Sequence, residues 1–233
     1  MAALLERFYP DYRDENWHFR RLVAQHVSPG ARVLEAGCGR DTDLSGYLRE
    51  AGCRVVGIDL SPALSENSAL HYPVRGDLEA LPFANESVDL VTCRYVVEHL
   101  KDPVRAFGEL ARVLRRGGKV VLLTPNRWHY VTLIARLTPH AFHRWVNVHR
   151  GVPAEDVFPT RYQANSRRQL LHLAHRCGLR AVEIQLLELR PNYLLFSTPT
   201  LLLGVLYERL VNRISWLSPL RVNILAVLEK PSA

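Results

Sequence analysis

The middle of this 233-residue chain alternates short β-branched, aliphatic runs with amphipathic segments. This pattern predicts an α/β fold, a parallel sheet whose strands are joined by crossover helices. Helix signals fall between the runs, as at Asp102-Pro103, where a capping residue precedes a proline. In chain order, the predicted strands cover residues 32–36, 54–58, 72–75, 88–93, 119–124, 181–189 and 221–229.

Length and composition indicate one well-buried domain over residues 1–233, since 48% of the residues are hydrophobic and 23% are charged. The formal charge is +7, from 30 basic and 23 acidic residues, and it is unevenly spread. Residues 1–93 hold 9 basic and 14 acidic side chains, and residues 94–233 hold 21 and 9. We therefore expect an acidic ligand, an anionic acceptor or a membrane surface to meet the second half. Nucleic acid is not the expected partner, because the arginines are scattered through predicted helices and loops.

The lack of a recognisable signal peptide and the pattern of the cysteines favour a cytoplasmic location. The first twelve residues lack the basic and apolar regions of a signal peptide. The longest uncharged run, between Arg190 and Glu208, contains two prolines and is too short to span a bilayer, so we expect no transmembrane helix. The four cysteines form no CxxC pair and are expected to be reduced thiols.

A glycine loop, Gly37-Cys38-Gly39, directly follows the first predicted strand and precedes a helix. Glycines there let a nucleotide cofactor approach the backbone, and Asp59, about 20 residues further on, ends the second strand where a carboxylate can bind a ribose. The third glycine of a dinucleotide fingerprint is missing, which disfavours a diphosphate. Glu35, just before the loop, suits a cationic ligand such as an amino group or a sulfonium.

These motifs resemble, in order and spacing, those of class I S-adenosylmethionine-dependent methyltransferases of the small-molecule type, the group that includes the ubiquinone and menaquinone methylases. The resemblance covers VLEAGCG, VVGIDLS, Gly76-Asp77-Leu78, the turn after the fourth strand and LRRGGKVVLLTPN. It implies a Rossmann-like, seven-stranded, mostly parallel sheet flanked by helices, with the last strand antiparallel, and S-adenosylmethionine as cofactor. The cofactor-binding residues that it implies are Glu35, Gly37, Cys38, Gly39, Asp59, Leu60, Asp77, Leu78, Arg94 and Tyr95.

Catalysis requires an aligned nucleophile and, for a hydroxyl acceptor, a base. His99 is the first candidate base because it follows the fourth strand, at the sheet edge where ligands bind, although it could instead only shape the cofactor pocket. His129 or His143 is the second candidate. Both lie in residues 126–162, a long aromatic stretch that we expect to form a lid over the acceptor. No metal site is expected, because the histidines lack ligand spacing.

Two further segments complete the prediction. Residues 1–27 are expected to form an N-terminal helical cap, with Trp17, Phe19, Leu22 and Val23 on a helical spacing, that packs against the sheet or over its edge. Residues 191–219 are a helical insertion before the last strand with more leucines than one buried face needs. The surplus leucines could meet a second copy in a homodimer, a lipid-like acceptor, or the inner membrane surface.

The expected function is methyl transfer to oxygen or carbon of a small hydrophobic or anionic acceptor. The alternatives are an RNA or protein methyltransferase and a non-catalytic cofactor-binding relative.

Overall fold

The computed structural model describes residues 1–138 and 158–232, and within them the chain forms a seven-stranded sheet. The order of the strands is β3-β2-β1-β4-β5-β7-β6. The strands are β1 (Arg32–Ala36), β2 (Arg54–Asp59), β3 (Tyr72–Arg75), β4 (Val88–Arg94), β5 (Leu114–Pro125), β6 (Arg180–Leu187) and β7 (Asn223–Glu229).

Strand directions confirm the predicted fold class. β1 pairs in parallel with β2 and β4, and the parallel ladder continues to β3 and β5. β7 is antiparallel to both of its neighbours, β5 and β6. Its first residue, Asn223, therefore lies opposite Pro125 and Leu187, at the edge where the other strands end. That edge is where ligands of open α/β sheets bind.

Helices cover both faces of the sheet because successive strand residues point to opposite sides. One face buries Leu34 and Leu122 with Phe107 and Leu170 from helices, and the other face buries the neighbouring residues of the same strands with Phe19. The helices are α1 (Ala2–Phe8), α2 (Glu15–Ala24), α3 (Asp43–Glu50), α4 (Pro103–Val113), α5 (Tyr130–Leu137), α6 (Arg167–Arg176) and α7 (Thr198–Arg213), with 3-10 helices at Pro62–Glu66 and Ser215–Leu220.

The strand β5 begins earlier than its sequence predicts. The predicted strand covers residues 119–124, yet α4 ends at Val113 and Leu114 already pairs with Val88 of β4. The Gly117 N–H donates to the carbonyl of Lys230, so the glycines lie within the extended segment. A glycine pair is compatible with either a turn or an irregular strand, and here pairing with β4 decides between them.

Helices occupy the N-terminal segment and the segment before β7. Residues 1–27 form α1 and α2, and α2 buries Phe19, Leu22 and Val23 against the sheet. Residues 191–219 contain α7, whose Leu201, Val205 and Val211 face the protein. No helix in the two described ranges is long and apolar enough to cross a membrane. All four cysteines are unpaired.

Candidate active site

A cavity of about 370 Å³ opens at the ends of β1, β2 and β4. Eight of the predicted site residues line it, together with eight others, three of which belong to the predicted lid of residues 126–162. The predicted lining residues are Gly37, Cys38, Gly39, Asp59, Leu60, Leu78, Tyr95 and His99. The others are Arg40, Asp41, Ser61, Val96, Lys101, Phe158, Pro159 and Arg161.

Glycine conformations and hydrogen bonds to Asp59 determine the shape of the loop after β1. Gly37 and Gly39 have φ values of +71° and +51°, which favour glycine. A Cβ on Gly39 would have nothing within 4 Å, so this residue leaves free space beside the cavity. The Asp59 carboxylate accepts the N–H groups of Gly39 at 2.9 Å and Ser61 at 2.8 Å. It therefore ties the ends of β1 and β2 together and still offers lone pairs to a ligand hydroxyl.

Three of the predicted cofactor residues do not line this cavity. Glu35 is buried, and its carboxylate accepts a 2.6 Å hydrogen bond from Ser45, while burial raises its pKa to about 7. The Asp77 carboxylate accepts the N–H of Glu79 at 3.0 Å. Arg94 is paired with Asp41, which is itself a lining residue. Glu35 and Arg94 are thus part of the layer behind the cavity wall.

The outer wall of the cavity comes from residues after 157. His99 contacts the carbonyl oxygen of Pro159 through Nδ1 at 3.1 Å, and its ring lies 6.0 Å from that of Phe158. A carbonyl only accepts, so Nδ1 carries the hydrogen and donates, and Nε2 is left as an acceptor. Burial lowers the pKa of His99, which keeps it neutral. This contact holds the segment that covers the cavity. A single histidine in a sequence gives no indication of such a contact.

A second cavity of about 480 Å³ adjoins the first, and Tyr95 lines both. Tyr95 has a φ of +57°, unusual for a side chain of this size, and it turns the chain sharply out of β4. Five segments meet around this second cavity: the start of α2, the turn after β4, and the adjoining ends of β5, β6 and β7. Its lining residues are Glu15, Tyr95, Glu98, Pro125, Glu188, Leu189, Arg190, Asn192, Tyr193, Val222 and Asn223.

Carboxyl groups dominate the charge of the second cavity. Glu98 and Glu188 are buried, and burial raises their pKa values to about 7 and about 8. Glu15 lies at the α2 end and accepts a 3.3 Å hydrogen bond from the Tyr95 hydroxyl. Arg190 is the one cation of the described lining, and its guanidinium lies 4.0 Å from the ring centre of Tyr12. The described lining of this cavity therefore carries more carboxyl groups than cations.

His129 is placed behind the second cavity. It is 1% exposed, lines neither cavity, and lies in a ring of Tyr130, Tyr193 and Tyr207. Neither ring nitrogen has a hydrogen-bond partner in the described structure, and Nε2 lies 3.6 Å from Oε2 of Glu188. Burial lowers its pKa to about 4. The other candidate, His143, lies outside the described residues, as does most of the predicted lid.

Comparison with known proteins identifies the family. A family model described as a methyltransferase domain matches residues 34–122. A ubiquinone biosynthesis O-methyltransferase of Xanthomonas oryzae is 32% identical over 219 residues, which cover 87% of this chain and 77% of the relative. The chain belongs to the class I S-adenosylmethionine-dependent methyltransferases. Within them it falls in the group with the ubiquinone and menaquinone enzymes, as the motifs predicted. A demethylmenaquinone methyltransferase of Renibacterium salmoninarum is 33% identical over 60% of this chain and 67% of its own length.

The matches do not all extend over whole proteins. A relative from Mycolicibacterium smegmatis is 39% identical, but the match covers 52% of this chain and 51% of that protein. The chain thus spans about half the length of such relatives.

Solved structures share the fold of this methyltransferase. Geranyl diphosphate C-methyltransferase from Streptomyces coelicolor has a TM-score of 0.58 at 18% identity, covering 93% of this chain and 79% of that one. The [4+2]-cyclase SpnF has a TM-score of 0.60 at 16% identity, covering 93% and 81%. Because a protein named as a cyclase has this fold, the fold alone does not determine the reaction.

Proposed function

We propose that this chain transfers a methyl group from S-adenosylmethionine to oxygen or carbon of a small organic acceptor, by in-line displacement. The observation that carries the proposal is the pair of adjoining cavities, which Tyr95 separates. The first cavity would take the methyl donor and the second the acceptor. Bound S-adenosylmethionine supplies an electrophilic methyl group on a good leaving group, so the protein has only to align the acceptor and manage a proton.

The residues of the first cavity fit the donor. Gly37, Cys38 and Gly39 offer backbone and open space to the adenosyl part, and Asp59 offers carboxylate oxygens to the ribose. Leu60 lies on the cavity wall and is 50% exposed, an apolar surface that a flat adenine would cover together with Leu78.

Acidic groups behind and beside that wall suit a cationic donor. Glu35 would act on the methionine amino group from behind the wall, since its carboxyl loses its proton more readily beside a cation. The roles that the resemblance gives to Asp77 and Arg94 would be indirect, because both contact neighbouring protein groups.

Calorimetry with S-adenosylmethionine and its demethylated product tests donor binding. Gly39→Ala should weaken binding about tenfold or more, because the new methyl group would occupy the free space beside the cavity. Gly30→Ala is the matched control: Gly30 also has positive φ and open space around it, but it lies in the turn before β1. Equal affinities for the two variants would contradict this placement of the donor.

Transfer of a labelled methyl group separates the candidate functions. Label that enters an organic extract supports a small-molecule acceptor. Label that enters RNA or protein would favour those alternative classes of methyltransferase. Tight binding with no transfer into any of the three would indicate a non-catalytic relative.

The acceptor predicted from the sequence is hydrophobic or anionic. The walls of the second cavity support a partly apolar molecule, because Pro125, Leu189 and Val222 lie among its polar groups. An anionic head group would face Glu98 and Glu188 with only Arg190 to neutralise it, so the described lining favours an uncharged one.

We also propose that α7 binds an anionic membrane surface. It exposes Leu202, Leu203, Leu206 and Leu210 on the side away from the protein. Residues 191–221 contain one carboxylate, Glu208, which is buried, whereas the arginines beside the leucines are exposed. An exposed apolar stripe flanked by cations is typical of helices that lie in a lipid interface. Such binding would bring a lipid-like acceptor near the second cavity and would place the protein at the inner membrane surface.

Sedimentation with lipid vesicles tests this surface. We expect binding to phosphatidylglycerol-containing vesicles that is weaker with pure phosphatidylcholine and at high salt. Leu203→Ser with Leu206→Ser should abolish it, whereas Leu171→Ser, at an exposed leucine of α6, should not. If the double variant instead turns a dimer into a monomer and leaves vesicle binding unchanged, α7 is a homodimer contact and the membrane proposal is wrong.

A further inference from the structure

The second cavity holds three carboxyl groups, and their hydrogen bonds differ. Glu98 accepts a 3.0 Å hydrogen bond from the Thr124 hydroxyl, which in turn accepts one of 2.6 Å from Asn165. These two hydrogen bonds tie the turn after β4 to the end of β5 and the start of α6, so Glu98 has a structural role. Glu15 is only half-buried and contacts the Tyr95 hydroxyl.

Glu188 is held by a backbone group and has a histidine beside it. Its Oε2 accepts the N–H of Val222 at 2.8 Å, which orients the carboxyl at the junction of β6 and β7. Nε2 of the buried His129 lies 3.6 Å from the same oxygen, slightly beyond hydrogen-bond length. A buried histidine whose two nitrogens both lack a partner is costly to maintain, and it needs an explanation.

We propose that Glu188 takes the proton of a hydroxyl acceptor in the second cavity and that His129 is a positioning residue for the Glu188 carboxylate before it takes that proton. This inference rests on the proposed function. The acceptor oxygen would form a bond to the methyl carbon as the carbon–sulfur bond breaks and its electron pair stays on sulfur. The hydroxyl proton passes to Glu188 and then to solvent.

His129 fits this task because it is neutral and can donate. With the hydrogen on Nε2, a shift of a few tenths of an ångström would bring it into hydrogen-bond range of Oε2 once Glu188 is charged. While Glu188 is protonated, no such bond is required, which accounts for the partnerless ring. His99 is less suited, because it lines the donor cavity and is engaged with Pro159.

The charge state of Glu188 should respond to the donor. Burial and the nearby Glu208 raise its pKa, whereas Arg221 lowers it. A sulfonium next to the second cavity would also favour the carboxylate, so donor binding would release its proton. The titratable and charged groups around Glu188 are His129, Tyr9, Tyr130, Tyr207, Glu208 and Arg221, together with Glu15, Tyr95, Glu98, Arg190 and Tyr193 of the cavity lining.

Proton release on binding tests the proposal without an acceptor. Calorimetry in two buffers of different ionisation enthalpy counts protons released when S-adenosylmethionine or its neutral-sulfur product binds. We expect more release with the sulfonium near neutral pH, and a loss of roughly half a proton per donor bound in Glu188→Gln. Glu109→Gln is the control, a glutamate that bonds Arg112 and the N–H of Leu81 and lines neither cavity.

Two His129 variants test the positioning role. His129→Phe removes the N–H, so release should move to higher pH, whereas His129→Gln retains an N–H donor and should restore it. If the ring has a purely structural role, both variants should change the free energy of unfolding, and their proton release should depend on pH in the same way.

Outcomes against the inference are distinct from failure of the proposed function. If S-adenosylmethionine does not bind at all, the proposed function fails. If it binds and the extra proton released with the sulfonium persists in Glu188→Gln, or disappears only in Glu98→Gln, Glu188 is not the proton acceptor.

Discussion

Replacing Gly37 by alanine tests how closely the loop after β1 packs on the turn after β4. A Cβ on Gly37 would lie 2.1 Å from Cγ2 of Val96 and 3.1 Å from its Cγ1. Ordinary contacts of this kind are at least 3.4 Å, so one of the two groups has to move by more than an ångström. Both residues line the first cavity, so the substitution should disturb the shape of that cavity as well as the stability of the protein.

The free energy of unfolding should fall by about 2–3 kcal/mol. The φ of +71° costs an alanine about 1 kcal/mol, and overpacking a well-filled site costs about 1–3 kcal/mol. Alanine also restricts the unfolded chain, which offsets about 0.4–1 kcal/mol. For a chain of this size the melting temperature should then drop by roughly 4–12 °C.

Thermal and urea unfolding of Gly37→Ala and Gly30→Ala separate strain from overpacking. Gly30 has a φ of +83°, but no atom lies within 4 Å of the position that an alanine methyl group would take there, so Gly30→Ala should lose about 1 kcal/mol or less. If the two variants are equally stable, the close packing of Val96 on the loop is wrong. If Gly37→Ala unfolds early but binds S-adenosylmethionine with unchanged affinity, the loop is not part of the donor site.

Three further changes test other parts of the structure. The folded-state pKa of Glu188 is raised from 4.5 to about 8, so the folded state retains a proton that the unfolded state loses. The free energy of unfolding should therefore fall on the order of 4 kcal/mol as pH rises from about 4.5 to 8. Urea unfolding of Glu188→Gln should show a weaker dependence of stability on pH. Arg112→Met should cost about 2–3 kcal/mol in the same assay, since the guanidinium bonds the carbonyls of Leu81 and Phe83 at 2.9 and 2.7 Å. Asp14→Ala should cost about 1 kcal/mol by removing the N-cap of α2.

The sheet and the glycine loop could be predicted because local residue patterns determine them. β1 is buried on both faces and contributes the apolar residues Val33, Leu34 and Ala36, and Gly37 follows where the chain must turn. The same reasoning located Asp59, because a residue that ends β2 lies beside the end of β1 in a parallel pair. Such contacts depend on strand order alone.

The second cavity could not be predicted in the same way. Glu15, Glu98 and Glu188 are far apart in the chain and are brought together only when α2 packs on the sheet and β7 inserts between β5 and β6. His129 was singled out from its aromatic surroundings, but nothing near it in the sequence indicates that its neighbour is Glu188. Pairing of residues across the sheet edge is a tertiary property, so periodicity gives no signal for it.

Net charge of a chain segment is a poor guide to the charge of a cavity that the segment lines. Residues 94–233 are strongly basic, yet the described wall of the second cavity takes Glu98 and Glu188 from them and only one arginine. The reason is that a buried carboxyl can become neutral by taking a proton near pH 7, whereas an arginine remains charged and is retained at the surface or beside a partner. The basic residues of the second half are therefore available to an external surface, such as the lipid interface proposed for α7, while the interior of the same half provides groups that exchange protons.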